Sequence, residues 1–291
     1  MSRHHAGAQA APALTDLRMA ADYQPVAQAL AQHWPGVSLE VCDSLDSTNS
    51  ELMRRARAGQ VQPTLLVARQ QTAGRGRLGR QWLSGTGLTD ADGESASLTF
   101  SLGLPLAPAS WSGLSLAVGV SIAASLHHVL RLKWPNDLWL HQRKLGGILV
   151  ETASWGDQRY VVIGVGLNVL PPPPDFAEGA DASLPPSVAA TSLQALWPGV
   201  DAPWALQAVA APLVAAVLAF EQHGFAPFQA RFAARDALAG RLLRLSDGTE
   251  GLGCGVGPQG ALRVQTPAGL KDISSQEVSV RPVAAGGTGL A

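Results

Sequence analysis

Apolar positions recur with a helical period between Pro25 and Trp34, placing Val26, Leu30 and Trp34 on one face. Pro35-Gly36 stops that helix. Residues 37–42 (VSLEVC) then alternate apolar and polar, as a strand does. Asp46-Ser47-Thr48-Asn49 offers several N-caps to a short helix, ELMRRARAG, closed by Gly59. Further apolar runs predict strands at 64–70, 97–104 and 159–169. Leu114 to Leu130 predicts a long buried helix, with His127 and His128 as helix residues. Asp137–Gln142 and Leu145–Thr152 flank Arg143-Lys144 and predict a hairpin. Helical patterns return at 203–222 and 225–238.

Two stretches interrupt these elements. Residues 74–87 are rich in Gly, Arg and Ser and read as a loop. Pro171–Pro174 open a polar loop reaching about Val188, long enough to suggest a cover over a site. Near Gly240 the composition changes. From Arg241 to Pro282 short strand-like runs alternate with Gly-rich turns, the mark of a small all-β module. Strands and helices that mix without strict alternation predict an α+β protein. The expected organisation is a disordered lead at 1–22, a main domain at 23–239 with a mixed β-sheet flanked by helices, a small β domain at 240–283 and a tail at 284–291.

The 291 residues are 46% hydrophobic and 15% charged, which excludes a disordered polyelectrolyte. A net charge of −1 implies no global electrostatic grip on nucleic acid. Cys42 and Cys254 are too few and too far apart for a disulfide framework or a zinc site, which fits a cytoplasmic setting. The longest apolar candidate, Gly113 to Leu132, is broken by serines and two histidines, so no membrane span is expected.

Chemistry concentrates in a few segments. In QTAGRGRLGRQW (71–82), Gly74, Gly76 and Gly79 interleave with Arg75, Arg77 and Arg80. Glycines let a backbone approach a ligand, and guanidinium groups grip carboxylate or phosphate through forked hydrogen bonds. Anion binding, a solvated Arg-Gly segment and a contact to RNA all fit that composition. Lys133, Asn136 and Asp137 in LKWPNDLWL suit phosphate and Mg²⁺, or simply a polar turn capping a strand. Lys144, before LGGILVET, either aims into a cleft or is an exposed hairpin lysine. Ser47-Thr48-Asn49 caps a helix or binds a ligand, Asn168 ends a strand, and Trp82 stacks on a base or packs.

Taken in order, STN, QTAGRGRLGRQW, KWPND, RKLGGILVET and IGVGLNV resemble the biotin–protein ligases over about residues 37–283. The resemblance implies an SH3-like fold for the C-terminal module. It also implies an enzyme that joins biotin to ATP as biotinyl-5′-AMP, with Mg²⁺, and moves biotin to one lysine of the biotin carboxyl carrier protein of acetyl-CoA carboxylase. It places Ser47, Thr48 and Gln71 at the biotin ureido group, Asn49 among the biotin-binding residues, and Gly74, Arg75 and Arg77 around its carboxylate and the phosphate. Lys144 would contact the carboxylate and α-phosphate, with Gly147 and Ile148 bordering the biotin. Trp82 and Asn168 would lie beside the nucleotide, with Arg77 and Arg80 on ATP. Lys133, Asn136 and Asp137 would serve the phosphates, the metal and the acceptor lysine, Asp137 being the metal candidate and the group that orients that lysine. Lipoate or octanoate ligation is the alternative within the superfamily, and RNA binding by the Arg-Gly loop the alternative outside it.

Two departures from the family pattern stand out. The polar stretch GTGLTDADGESAS (85–97) is longer than usual, so contacts are not transferred to it. The stretch before VSLEVC is too short for the helix-turn-helix repressor domain of some members, so specific DNA binding is not expected. A homodimer is left open.

Overall fold

The structure is a computed structural model and describes residues 22–82, 95–155, 158–171, 189–274 and 280–282. All but the last residue of the expected lead, the tail, most of 85–97 and nearly all of the 171–188 loop lie outside the described residues. A seven-stranded mixed sheet and a separate five-stranded antiparallel sheet, with helices packed on the first, make the predicted α+β architecture. The elements in chain order are α1 (Gln24–His33), β1 (Ser38–Leu45), α2 (Thr48–Arg57), β2 (Thr64–Gln71), β3 (Ser97–Pro105), α3 (Leu114–Leu126), β4 (Arg131–Lys133), β5 (Asp137–Leu140), β6 (Arg143–Trp155), β7 (Gln158–Asn168), α4 (Ala202–His223) and α5 (Ala226–Ala233). The small sheet adds β8 (Leu242–Leu245), β9 (Glu250–Val256), β10 (Leu262–Thr266), β11 (Gly269–Ile273) and β12 (Val280–Pro282).

The large sheet runs β1-β2-β3-β7-β6-β5-β4, with β1 and β2 parallel and the remaining neighbours antiparallel. Its strands alternate between two destinations. Val161, Ile163, Val165 and Leu167 of β7 enter the main core with α3 and α4. Tyr160 and Val162 face the other way, into a smaller cluster with Leu52, Met53 and Ala56 of α2. The sheet is therefore covered on both faces, and α2 covers only part of its own.

Three expectations need correction. Helix α3 ends at Leu126, and His127 is its extended C-cap, so neither histidine is helical. The hairpin turns at His141 and Gln142, both with positive φ (48° and 62°), so Arg143 and Lys144 already belong to β6. No Asn-Gly or Asp-Gly pair announces such a turn, which is why the pattern misplaces it. Among the described residues the longest apolar helix is α4, not the 113–132 stretch. By length and hydropathy α4 passes as a membrane span, but here its Leu206, Val209, Leu213, Val217 and Phe220 are buried in the core.

The small sheet is locked to the large domain. Leu243, Leu245, Val256, Leu262, Val264 and Val280 continue the main core. The buried Trp134 indole donates to the carbonyl of Gly260 at 3.0 Å, and Ser112 Oγ donates to the carbonyl of Gln259 at 2.6 Å. Gly260 has φ +79°, and a Cβ there would lie 2.8 Å from Gly113 Cα, so only glycine lets the two backbones meet.

Candidate active site

The sheet register brings the chemical residues together. Asp137 of β5 pairs with Gly147 of β6, Gly147 with Gly166 of β7, and Gly166 with Thr99 of β3. The next row holds Leu149, Gly164 and Ser101. Directly opposed residues share a face, so these two rows form one wall of a cleft. Three of the wall residues are glycines, so the wall is low and the cleft deep. The N-terminus of α2, the loop after β2 and the segment around Lys133–Asn136 supply further lining.

The floor is a buried hydrogen-bonded network. Ser47 is the N-cap of α2, accepting from Ser50 N–H at 3.4 Å. Gln71, at the end of β2, accepts from the Thr48 backbone N–H at 2.7 Å and from its hydroxyl at 3.1 Å. Ser101 Oγ lies 2.7 Å from Thr48 Oγ1 and 2.6 Å from Asn49 Oδ1. Asn49 Nδ2 donates to the Leu149 carbonyl (3.3 Å) and to Glu151 (3.0 Å). Burying such groups without partners would cost about 1–3 kcal/mol each, so the network is what allows a polar floor. Gly164 makes room for it, since a Cβ there would fall 2.1 Å from Asn49 Oδ1.

The glycine-arginine loop closes as a small hairpin over this floor. Trp82 N–H donates to the Gly74 carbonyl at 2.9 Å and Gly76 N–H to the Arg80 carbonyl at 2.7 Å. At its tip a short 3₁₀ turn, Arg77–Gly79, holds Leu78 in the left-handed region (φ 56°). Arg75, Arg77, Leu78, Arg80 and Trp82 all line the cleft. The Trp82 ring rests on Gly166, where a Cβ would come within 2.4 Å. Its Nε1 is buried with no hydrogen-bond partner.

Opposite the loop stands a carboxylate between two lysines. Asp137 lies 2.8 Å from Lys144 Nζ and 3.5 Å from Lys133 Nζ, and its side chain is 14% exposed. Burial pushes the Asp137 carboxyl up, but the charges and hydrogen bonds of Lys144 and Lys133 outweigh it and hold the group below its ordinary range. Burial pulls the Lys133 ammonium below its ordinary range, with Asp137 opposing and Lys144 adding to the shift. Burial likewise lowers Arg77, Asp137 opposing and Arg80 assisting. Ile148 borders the cleft, and its backbone is pinned by Asn136, whose Nδ2 donates to the Ile148 carbonyl at 2.8 Å.

Most of the expected site residues thus share one cleft, and two do not line it. Gly74 closes the base of the hairpin, where a Cβ would come within 2.3 Å of the Trp82 carbonyl oxygen. Asn168 lies outside the lining and donates to the Thr191 carbonyl at 2.9 Å, bracing the chain beyond the polar loop. The metal candidate also fares poorly. Both Asp137 oxygens face ammonium groups, and no group of three His, Cys, Asp or Glu side chains is placed for a metal among the described residues. The residues present do not fit a protein-held Mg²⁺.

Other lining residues escaped the sequence reading. Val280 reaches the cleft from β12 of the small sheet. Gly164 and Gly166, which recur at period two on one strand face, line it too, while behind the lining stand Ser101, a buried hydroxyl in an apolar strand, and Glu151, an acid in another. That period was a usable signal.

The cleft thus gathers cationic side chains beside a polar floor. Residues 41–168 match the family model described as the biotin/lipoate A/B protein ligase family. The chain is 34% identical to the bifunctional ligase/repressor BirA of Escherichia coli, over 84% of this chain and 75% of that protein. It is 32% identical to the biotin–[acetyl-CoA-carboxylase] ligase of Paracoccus denitrificans, over 80% of this chain and 96% of that one. The biotin protein ligase of Aquifex aeolicus, solved with biotin and ATP, superposes with a TM-score of 0.66 at 27% identity, over 84% of this chain and 99% of that chain. The chain belongs to the biotin/lipoate A/B protein ligase family.

Proposed function

We propose that this protein activates biotin with ATP as biotinyl-5′-AMP, releasing pyrophosphate, and then transfers the biotinyl group to a lysine of a biotin carboxyl carrier protein, releasing AMP. The observation that carries the reading is the cation arrangement facing a polar floor: Lys144, Lys133, Arg77 and Arg80 line the cleft with a hydrogen-bonded bed of hydroxyl and amide groups. A ureido group, with two N–H donors and one carbonyl, matches the bed of Ser47, Thr48, Asn49 and Gln71. The carboxylate at the other end of biotin then points toward Lys144 and Arg77.

The first step brings a carboxylate oxygen to the anionic α-phosphate. Two unit charges at 4 Å repel by about 4 kcal/mol at an effective dielectric of 20, so cations must lie between or beside them. Lys144 and Arg77 neutralise the two reactants, and Arg80 faces the departing phosphates. Mg²⁺ enters as part of the MgATP substrate. Trp82 offers a ring face to the adenine and an unpaired N–H to one of its acceptors. Asp137 holds Lys144 in place during activation. In the second step it accepts a hydrogen bond from the incoming lysine and favours the proton loss that makes that amine a nucleophile.

The test is ATP–pyrophosphate exchange with biotin or lipoate, followed by mass spectrometry of a carrier domain. Exchange that depends on biotin, with a carrier that gains one biotinyl mass, is expected. Exchange driven by lipoate, or none beside an active control ligase, overturns the reading.

A further inference from the structure

Arg75 was expected to grip a ligand, yet in this structure its guanidinium faces the protein. Its Nη2 lies 2.9 Å from Glu151 Oε1 and its Nη1 3.3 Å from Glu151 Oε2, a forked pair across 76 residues of sequence. Glu151 does not line the cleft. It stands on the same sheet face one row further from Asp137, paired with Val162 of β7, and its side chain is 20% exposed. Glu151 Oε2 also accepts from Asn49 Nδ2 at 3.0 Å. The carboxylate therefore joins the floor network of Gln71, Thr48, Ser101 and Asn49 to the first arginine of the loop.

We propose that Glu151 is a positioning residue, a latch that holds the glycine-arginine loop in its closed hairpin and ties loop closure to the state of the floor. The loop needs such a tie. It carries Gly74, Gly76 and Gly79 within nine residues, has Leu78 in the left-handed region, and is exposed over much of its length. Ordering so glycine-rich a backbone is entropically costly. The contacts that keep it shut include the hairpin hydrogen bonds, the Trp82 ring on Gly166 and the forked pair. Forked guanidinium–carboxylate pairs fix orientation as well as distance. Because Asn49 shares Oε2 with Arg75, a ligand that draws on the floor amides shifts the carboxylate that holds the loop. That rests on the proposed function, in which biotin occupies the floor. The latch itself does not.

Glu151→Gln keeps the shape and leaves an acceptor for Asn49, but removes the charge that holds Arg75. Glu151→Asp keeps the charge and shortens the reach. Amide hydrogen exchange of the ligand-free protein reads the latch directly. In Glu151→Gln the Gly76 and Trp82 amides are expected to exchange about two- to fivefold faster than in wild type, the range of a partly exposed pair. Amides in the middle of β3 and β7 should keep wild-type exchange, with Glu151→Asp intermediate at the loop. In steady-state assays the KM for biotin should rise by a similar factor while single-turnover adenylate formation at saturating biotin changes less than twofold. Equal loop exchange in wild type and Glu151→Gln overturns the proposal. So does faster exchange spread evenly over β3, β6 and β7, which would make Glu151 a general structural residue. A wild-type protein that forms no biotinyl adenylate would instead refute the proposed function, and the ligand-free exchange result would still decide the latch.

Discussion

Asp137→Asn removes the one carboxylate between two ammonium groups and changes almost nothing in volume. At the observed separations of 2.8 and 3.5 Å, each ion pair has a Coulomb energy of about 5–6 kcal/mol at an effective dielectric of 20. Desolvation of the three charges offsets much of that. Breaking a buried pair from one side typically costs about 3–5 kcal/mol. Lys144 has a side chain 36% exposed and recovers some hydration, whereas Lys133, at 11%, does not. The expected loss is therefore at the low end, about 3 kcal/mol, or a fall in Tm of about 6–12 °C for a domain of this size.

The pH dependence carries the sharper sign. Lys133 already has a folded pKa below its ordinary value. Between that folded pKa and about 10.4 the unfolded chain binds more protons than the native one, so stability rises with pH there. Removing Asp137 removes the group that opposes the shift, and the window widens downward toward neutrality. The deficit of Asp137→Asn relative to wild type should then shrink as pH rises from 7 toward about 10. At the acid end the deficit narrows as well. The depressed Asp137 contributes stability above its ordinary value of about 3.9 and loses it as pH falls through the folded pKa, a loss the variant does not have. Urea denaturation at several pH values measures both ends, and single-turnover adenylation at pH 7 should fall about 10- to 100-fold because Lys144 loses its anchor. A deficit that stays constant across this range, or wild-type stability at pH 7, would refute the reasoning.

Three further outcomes are expected. Lys144→Ala should slow adenylate formation by about 10²–10³ in single turnover while biotin affinity, by titration, changes only a few-fold, since the floor contacts remain. Gly166→Ala places a methyl within 2.4 Å of the Trp82 ring and should raise the KM for ATP about three- to tenfold with the KM for biotin unchanged; an unaltered KM for ATP would remove Trp82 from the nucleotide site. Gly260→Ala combines a positive φ with a Cβ 2.8 Å from Gly113 Cα and should cost about 1–3 kcal/mol in urea denaturation, loosening the small sheet from the large domain.

What the chain determines locally was legible in its order of residues. The cap at Ser47, the period of α1, the apolar run of β7 and the glycine spacing of the arginine loop all act within one or two turns of backbone, where conformational preference is set by neighbours. The motif order alone pointed to the chemistry, because its residue types are the ones that chemistry requires. Three matters were settled only in the folded chain. Strand register set Asp137, Gly147, Gly166 and Thr99 in one row, and register depends on pairing partners far apart in sequence. The turn at His141-Gln142, with no glycine to mark it, moved Lys144 from a hairpin tip onto β6 beside Asp137. Arg75 met Glu151 rather than open space, and Asn168 turned away from the cleft to Thr191. A side chain's type is written in the sequence, but its partner is whatever the fold brings within about 3 Å, and hydrogen bonds and ion pairs fall off over that distance.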